Sequence, residues 1–382
     1  MAQLHATDWV SQDFLADPYS YYAAMRESEP VHFDPVRNSW MLMRYDDVSA
    51  ALKDDVRLTA HQHGANSMLV SDPPQHTRLR TLVNKAFTPR AVGELAPRIR
   101  KIVDELLDAA AARDSMDVIA DFAFPLPITV IAEMLGVEQE QRDFFHAASQ
   151  KIAMSLGPMS GTEVAGQAID GRNDLVAYFI ELIERRKSDP RDDLVSALVA
   201  AEDRGDILSM GELIAMLVLL LVGGHETTVN LIGNGLLALL RHEDQLELLR
   251  RDESVEKSAI EELLRYDSPV QYTGRIARSD FELRGQQIRA GQGVRMILGS
   301  ANYDPEVFDD PFGLDITRDP CPHLAFGFGI HYCLGAQLAR LEGRIALTAL
   351  IRRFPNLRLA GANPRWRPAP VLRGLEALPV TL

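Results

Sequence analysis

The sequence contains only two cysteines, Cys321 and Cys333, among its 382 residues. This number is too small for a disulfide framework and is typical of proteins in a reducing compartment. The beginning of the chain lacks the basic segment and the apolar core of a secretory signal. The longest apolar run, residues 213–224, ends in two glycines and is too short to span a bilayer. We therefore expect a cytoplasmic protein with no membrane anchor.

Linkers rich in proline or serine, low-complexity runs and internal repeats are also lacking in the sequence. Although a chain of this length could form two or three domains, we expect one large domain over residues 1–382. Apolar residues make up 46% and charged residues 25%, a balance typical of globular proteins with a sizeable core. The 40 basic and 54 acidic residues give a formal net charge of −14, which argues against nucleic acid as a partner.

Hydrophobic periodicity predicts helices over much of the chain and strands in only a few places. Residues 31–33 and 40–44 are predicted to form a short strand pair. Further strands are expected near residues 281–283 and 293–298, on either side of a turn rich in glycine and glutamine. Helices are predicted over residues 98–112, 127–135, 139–153, 165–187, 192–203 and 254–266 and from about 334 to 353.

The longest predicted helix runs from Ser209 to about Arg241. Ser209 and Glu212 have the spacing of a capping box, which marks a helix start. At about 1.5 Å per residue this helix would be roughly 50 Å long, enough to cross the whole domain. We therefore expect it to be the central helix of the fold.

The middle of this helix carries the sequence Gly-Gly-His-Glu-Thr-Thr at positions 223–228. The two glycines cost about 1 kcal/mol each relative to alanine, so a functional reason for them is expected. Glu226 and Thr227 place a carboxylate and a hydroxyl where the helix is weakest and could admit water or a ligand. The His-Glu-x-x-His pattern of zinc proteases is excluded, because Val229 stands where the second histidine would be.

The most informative stretch is Phe-Gly-Phe-Gly-Ile-His-Tyr-Cys-Leu-Gly-Ala at positions 326–336. Its alternate glycines allow close backbone approach to a large flat group and permit positive φ angles. Cys333 lies at the start of a helix predicted from about Leu334. We expect the amide groups of that helix end to favour the thiolate and to lower the pKa of Cys333. Gly335 and Ala336 leave room for a flat ring, and His331 could reach a carboxylate on its rim.

These motifs resemble those of the cytochrome P-450 family. Residues 326–335 fill every fixed position of its haem-binding signature, Phe-Gly-x-Gly-x-His-x-Cys-x-Gly, and residues 224–227 match the Gly-x-(Asp/Glu)-Thr motif of its long distal helix. The resemblance implies a mainly helical fold with a small β portion, in which haem lies between the distal helix and the helix of the cysteine loop. It implies haem b as the cofactor, with Cys333 as the iron ligand and Phe326, His331 and Gly335 beside the haem.

Three further motifs extend the resemblance over most of the chain. In Pro-Pro-Gln-His-Thr-Arg-Leu-Arg at positions 73–80, His76 and Arg80 occupy the positions that bind haem propionates, and Arg275 matches a third propionate partner. Glu262 and Arg265 match the buried Glu-x-x-Arg pair behind the haem. The family often adds an arginine to that pair at the position where Gly313 stands here. Arg318 and His323 are both candidates to replace it.

The resemblance implies a monooxygenase that inserts one oxygen atom from O2 into a hydrophobic small molecule, by hydroxylation or epoxidation. Glu226 and Thr227 would relay protons in this reaction. Electrons would come from a separate ferredoxin or flavodoxin with its reductase, because the chain is too short to hold a reductase. Basic residues expected to form a docking patch on the cysteine side are Arg78, Lys85, Arg90, Arg340 and Arg344.

The substrate cavity is expected to be apolar, which suits a macrolide, terpenoid, steroid or fatty acid without ranking them. Its walls would include two loops at residues 58–72 and 151–168, the second being a candidate lid. The side chains and backbone predicted to contact the substrate are Leu219, Val222, Gly223, Val270 and Leu372.

Two alternative functions remain open from the sequence. The first is a peroxide-driven peroxygenase on the same scaffold, which the Glu226-Thr227 pair disfavours because such enzymes lack it. The second is a non-enzymatic zinc site formed by two thiolates and two imidazoles. Its four ligands would be Cys321, His323, His331 and Cys333.

Overall fold

The computed structural model describes residues 8–61, 67–154, 162–202, 208–361 and 364–382. These residues are mainly helical with three small sheets, so the predicted fold class is confirmed. The α-helices are α1 (Gln12–Ala16), α2 (Pro18–Ser28), α3 (Tyr45–Lys53), α4 (Gln75–Asn84), α5 (Pro89–Glu94), α6 (Ala96–Ala111), α7 (Pro125–Leu135), α8 (Arg142–Met154), α9 (Thr162–Ser188), α10 (Leu194–Glu202), α11 (Met210–Arg241), α12 (Glu243–Arg251), α13 (Glu256–Tyr266), α14 (Leu298–Ala301) and α15 (Ala336–Arg353). The strands are β1 (Val31–Asp34), β2 (Ser39–Leu42), β3 (Leu58–Thr59), β4 (Ser115–Asp117), β5 (Thr273–Ala277), β6 (Phe281–Leu283), β7 (Gln286–Ile288), β8 (Gly293–Met296), β9 (Arg358–Leu359) and β10 (Pro379–Thr381).

Helix α11 is the central element, as the sequence predicts. Its N-terminus has the predicted capping box: the Glu212 amide donates to Ser209 Oγ and the Ser209 amide donates to a Glu212 carboxylate oxygen. The helix is apolar on almost every side and is long enough to cross a membrane, but 67% of its most apolar window is buried inside the fold. This burial is that of a core helix.

Neighbouring helices contact α11 closely where small residues allow it. A side chain at Gly343 of α15 would lie 2.8 Å from Leu231, and one at Gly235 would lie 3.2 Å from Leu263 of α13. Helices α7, α8 and α9 pack against α11 as well. The central helix is thereby held in place along its length by elements from both halves of the chain.

The strands form three sheets at the edge of this helical body. The largest has the order β1-β2-β8-β5-β3, with β2 and β8 parallel and the other pairs antiparallel. The predicted pair at residues 31–44 is present as the β1–β2 hairpin. The two strands predicted around the later turn do not pair with each other, because β6 pairs with β7 and β8 joins the large sheet. Strand β5, which carries Arg275, was not predicted.

The predicted Glu262–Arg265 pair is fully buried on α13. Arg265 donates from Nε and Nη2 to the two carboxylate oxygens of Glu262 at 2.7 Å each. Arg318 completes a triad, since its Nε lies 3.0 Å from Glu262 Oε2. Gly313 contributes only its carbonyl oxygen, which accepts from Arg265 Nη2 at 3.0 Å. His323 instead contacts the neighbouring Glu261, so Arg318 is the residue that takes the place left open at Gly313.

The C-terminal segment, residues 364–382, crosses α11 on one side. Arg367 and Gly374 are hydrogen bonded through their backbones, and Leu372 forms a β-bridge with Val270. The side-chain amide of Asn234 on α11 donates to the carbonyl of Arg373 at 3.0 Å. This segment therefore contacts both the central helix and the residues that follow α13.

A buried carboxyl group lies on α15. Glu342 is 1% exposed, and its Oε2 has no hydrogen-bond partner among the described residues. Burial without a counter-charge disfavours the ionised form and raises the pKa of Glu342 to about 8. Between the pKa of the unfolded chain, near 4.5, and about 8, the folded protein holds a proton that the unfolded chain has lost. The contribution of Glu342 to stability must therefore fall as the pH rises through this window.

We predict that Glu342→Gln gains stability relative to the parent protein as the pH rises from 5 to 9. Glutamine needs no proton to remain neutral, so the difference in unfolding free energy should grow by about 3–4 kcal/mol across the range. Urea unfolding at several pH values measures it, with the exposed Glu94→Gln as control. A difference that stays constant with pH would contradict the prediction.

Candidate active site

The cysteine loop has the tight backbone that the sequence predicts. Gly327 and Gly329 adopt φ angles of +68° and +71°, and a side chain at Gly329 would lie 2.7 Å from the carbonyl oxygen of Leu52. The Cys333 amide donates to the carbonyl of Phe326 at 2.9 Å, which closes the loop. Glycine is therefore required at position 329 both by its conformation and by the close approach of α3.

The predicted electrostatics of Cys333 is wrong in direction. The helix begins at Ala336, two residues after the predicted start, and Cys333 is exposed. Desolvation by the surrounding protein nevertheless raises the pKa of Cys333, and the amides of Gly335 and Ala336 and the charge of Arg80 oppose the increase only in part. A cationic metal centre bound to this sulfur would favour the thiolate.

Two further residues of the signature lie beside the cysteine. Phe326 is half-buried, with the Arg340 guanidinium 4.6 Å from its ring centroid. A side chain at Gly335 would meet no atom within 4 Å. The predicted position of Gly335 beside a flat ring is compatible with this open space.

Four predicted propionate partners come together from three parts of the chain. They share one region, in which the His76 and His331 rings are 4.4 Å apart between centroids and Arg80 donates to the carbonyl of Tyr332 at 2.6 Å. Burial and then the charge of Arg275 lower the pKa of His331 to about 3, and burial and then Arg80 lower the pKa of His76. The cluster consists of His76, Arg80, Arg275 and His331.

The cluster has the features of a binding site for anionic groups. Both ring nitrogens of His76 are buried and have no hydrogen-bond partner among the described residues. Burial also lowers the pKa of Arg275, whose guanidinium donates to the carbonyl of its neighbour Gly274. Buried polar groups normally have partners, so these side chains fit the carboxylates on the rim of haem. The Cys333 thiol and the side-chain-free Gly335 fit its metal and its ring.

The middle of α11 remains regular at the predicted weak point. The Thr227 hydroxyl donates to the carbonyl of Gly223 at 2.8 Å, and the Thr228 hydroxyl donates to that of Gly224 at 3.3 Å. Gly223 is exposed and Thr227 is half-buried, although the residues on either side are largely buried. The helix therefore presents an accessible hydroxyl and an accessible stretch of backbone inside the core.

Glu226 lies in a buried polar network that the sequence did not predict. It is 2% exposed, and its Oε2 accepts from Arg367 Nη1 at 2.7 Å. Arg367 belongs to the C-terminal segment and also donates to Asn230 Oδ1. The His225 ring lies against Phe124 with 4.7 Å between centroids. No sequence motif pointed to Arg367, because its partner is 141 residues away.

The predicted substrate contacts fall into two groups. Leu219 and Gly223 lie one turn apart on α11 and have accessible surface, whereas Val222 is buried. Val270 and Leu372 are brought together by their β-bridge.

The loop predicted at residues 151–168 is wrong at both ends, because α8 continues to Met154 and α9 begins at Thr162. The loop predicted at residues 58–72 begins with strand β3 and contains a short 3-10 helix, Met68–Val70. Residues 62–66 and 155–161 lie outside the described residues.

The zinc alternative finds no support in the described ranges. They contain no group of three or more potential ligands that could hold a metal ion. Burial and the nearby Glu262 raise the pKa of Cys321 to about 12, which disfavours a thiolate there. His323 is hydrogen bonded to Glu261. The His331 ring instead lies against the ring of His76, in the cluster of predicted propionate partners.

Comparison with known proteins agrees with this geometry. The family model Cytochrome P-450 matches residues 37–364. The chain is 46% identical to cytochrome P-450 107B1 of Saccharopolyspora erythraea, over 96% of this chain and 95% of the relative. It is 42% identical to the polyketide biosynthesis cytochrome P-450 PksS of Bacillus subtilis, over 97% of both.

A solved structure extends this agreement to the fold. P450BioI, crystallised in complex with an acyl carrier protein that carries hexadec-9Z-enoic acid, superposes with a TM-score of 0.93. The two chains are 39% identical over 97% of this chain and 100% of that structure. The chain thus belongs to the cytochrome P-450 family and is a haem-dependent oxidoreductase of the monooxygenase class.

Proposed function

We propose that this chain, as one domain over residues 1–382, is a cytoplasmic monooxygenase that uses haem b and hydroxylates or epoxidises a hydrophobic small molecule. The observation that carries the proposal is the combination of Cys333 in a tight loop with a cationic cluster on one side and the accessible Thr227 of α11. Haem held through a thiolate activates dioxygen for transfer of one oxygen atom. Residues of this chain would bind the cofactor and the substrate and would supply the protons.

Residues of the cysteine loop and of three other elements would hold the cofactor. Cys333 would bind the iron, and Phe326 and Gly335 would flank the ring. The carboxylates of haem b would accept from the cationic cluster, where unpartnered His76 nitrogens and the Arg275 guanidinium are available. The net charge of −14 does not oppose this, because the cations are concentrated at one place.

Glu226 and Thr227 would supply protons during oxygen activation. Their roles differ with their surroundings: Thr227 is accessible inside the core, whereas Glu226 is buried and paired with Arg367. We infer that Thr227 presents its hydroxyl toward the reacting oxygen and that Glu226 feeds protons to it from behind the helix.

The substrate would be a largely apolar molecule that reacts next to α11. Leu219, Gly223 and the Val270–Leu372 bridge would form apolar walls, in keeping with the predicted contacts. One relative named for polyketide biosynthesis and one crystallised with a fatty acyl carrier protein support a polyketide or acyl chain of secondary metabolism as a substrate class.

A separate ferredoxin or flavodoxin with its reductase would deliver electrons on the cysteine side. Four of the predicted docking residues have a carboxylate partner: Arg78 contacts Glu212, Arg340 pairs with Glu261 at 2.6 Å, Arg344 lies 3.9 Å from Glu256 and Arg90 pairs with Glu94 at 3.0 Å. Lys85 and Arg90 are exposed and follow α4, whose Arg80 contacts the cysteine loop. We therefore assign docking to Lys85 and Arg90, the two residues of the predicted set whose side chains are exposed.

The first prediction concerns the iron ligand. Reduced protein exposed to carbon monoxide should show a Soret band shifted far to the red, because a thiolate opposite the carbon monoxide donates electron density. Cys333→Ser should lose this shift, while Cys321→Ser should keep it. An absorption spectrum without haem, or a red-shifted band that survives Cys333→Ser, would overturn the proposed function.

The second prediction concerns the proton relay. Thr227→Val and Glu226→Gln should still bind haem and consume dioxygen, but product formation per turnover should fall by about 10²-fold as peroxide is released. Product, oxygen and peroxide are measured together with a substrate found by screening lipophilic compounds for spectral shifts. The matched control is Thr228→Val, which removes the neighbouring hydroxyl. Full coupling in both Glu226 and Thr227 variants would exclude the relay.

The third prediction concerns electron delivery. The double variant Lys85→Glu/Arg90→Glu should slow reduction by an acidic ferredoxin about tenfold at low salt, because charge complementarity mainly sets the association rate. Reduction by dithionite should not change. Charge reversal at Lys187, on α9, is the control and should leave both rates intact. Equal ferredoxin-dependent rates for parent and variant would remove the assignment of this patch.

A further inference from the structure

The buried carboxylate of the proposed relay is held by a residue from a distant part of the chain. Glu226 is 2% exposed, while the side chain of Arg367 is 20% exposed and donates to Glu226 Oε2 at 2.7 Å. Removing a carboxylate from water is costly unless a counter-charge and hydrogen bonds accompany it. Arg367 provides both, and it connects the carboxylate to a more accessible part of the protein.

The guanidinium contacts two positions on the same face of α11. Its Nη1 donates to Glu226 and its Nη2 donates to Asn230 Oδ1, four residues further along the helix. Residues four apart lie one above the other on a helix, so the fork of Arg367 spans one turn. This geometry fixes the direction of the Glu226 side chain more firmly than a single contact would.

The backbone of the C-terminal segment holds the guanidinium in this position. The Arg367 amide donates to the carbonyl of Gly374 at 2.9 Å. A side chain at Gly374 would lie 2.0 Å from Asn230 Oδ1 and 2.7 Å from Arg367 Nη2. Only glycine leaves room at this position for the contact between Arg367 and Asn230.

Two buried donors beside the pair have no acceptor among the described residues. They are Arg367 Nε and Asn230 Nδ2. Buried N–H groups in this situation are normally satisfied by ordered water. The site therefore has both a carboxylate and donors that can hold water next to it.

We propose that Arg367 is a positioning residue for proton delivery, which keeps Glu226 charged and oriented and, with Asn230, holds the water that reprotonates it. The proposal rests on the proposed relay role of Glu226. A proton that enters from the accessible side of Arg367 is relayed through this water to the Glu226 carboxylate, and Glu226 then passes a proton toward the Thr227 hydroxyl, so that the water and the carboxylate return to their starting states. Arg367 itself remains protonated throughout.

The test compares Arg367→Gln, Arg367→Lys and the matched control Arg365→Gln. Arg365 belongs to the same segment, but its side chain is 75% exposed and its ion-pair partner is Glu376. All variants are purified with haem and checked by the carbon monoxide spectrum and by the substrate affinity. Thermal unfolding is measured for each, and also for Glu226→Gln and for Glu226→Gln/Arg367→Gln.

The melting temperatures test the Arg367–Glu226 ion pair independently of catalysis. Arg367→Gln should lower the melting temperature, because it leaves a buried carboxylate without its counter-charge. Adding Glu226→Gln should restore most of the loss, because the neutral amide needs no cation. If the two substitutions lower the melting temperature independently, the ion pair does not position Glu226 and the proposal fails.

The functional readout separates positioning from simple stability. In Arg367→Gln, product formed per dioxygen consumed should fall by about tenfold and the solvent isotope effect should increase, since a misplaced donor slows proton transfer. Arg367→Lys should be intermediate because it keeps the charge but loses the fork, and Arg365→Gln should match the parent. An Arg367→Gln protein that is less stable but fully coupled would overturn the proposal. Full coupling in Glu226→Gln would instead show that the relay itself is wrong.

Discussion

A helix of 32 residues that is buried on nearly every side sets the architecture of this protein. Because it has no polar face to turn toward solvent, other elements must cover it all round, and they come from α7 through α9, from α13, from α15 and from the C-terminal segment. The stretch around Gly223 and Thr227 keeps accessible surface although most of the residues around it on this helix are buried. Polar groups placed there act in a medium where electrostatic interactions are strong and uncompensated charges are costly.

The buried charges around this helix are arranged accordingly. Glu226 has Arg367, Glu262 has Arg265 and Arg318, and Asp267 has Arg373. In contrast, within the part of the chain that the structure describes, both His76 nitrogens have no hydrogen-bond partner, and Arg275 donates to the backbone carbonyl of Gly274. In a chain with net charge −14, a concentration of donors and cations that its own carboxylates do not satisfy indicates an external anionic ligand.

The extent to which the sequence predicted this arrangement depends on how local each feature is. The capping box of α11 and the positive φ angles of Gly327 and Gly329 follow from residues within a few positions of each other, and both are present. The predicted pKa shift of Cys333 is wrong in direction because desolvation by the surrounding protein, which only the folded loop determines, outweighs the helix amides.

Contacts between residues that are distant in the chain could not be predicted from sequence motifs. Arg318 was one of two candidates to complete the Glu262 triad, and spacing could not choose between them because both precede the cysteine loop by a few residues. Arg367 was not considered at all. An arginine in a segment without a motif carries no signal, and its role is visible only once Gly374 and Asn230 show how closely that segment approaches α11.

The C-terminal segment contacts both the Glu226 carboxylate and the apolar residues around Val270. Within nine residues it supplies Arg367, which binds the carboxylate behind α11, and Leu375, which packs in the core, with Leu372 bridged to Val270 between them. A backbone shift that widened the apolar wall at Leu372 would also move the guanidinium, because the Arg367 amide is bonded to Gly374. The shape of the proposed substrate wall and the orientation of Glu226 are therefore mechanically linked. If the proposed roles of Leu372 and Glu226 are correct, a change of substrate range through this segment must preserve the position of Arg367 for proton delivery to remain coupled to it.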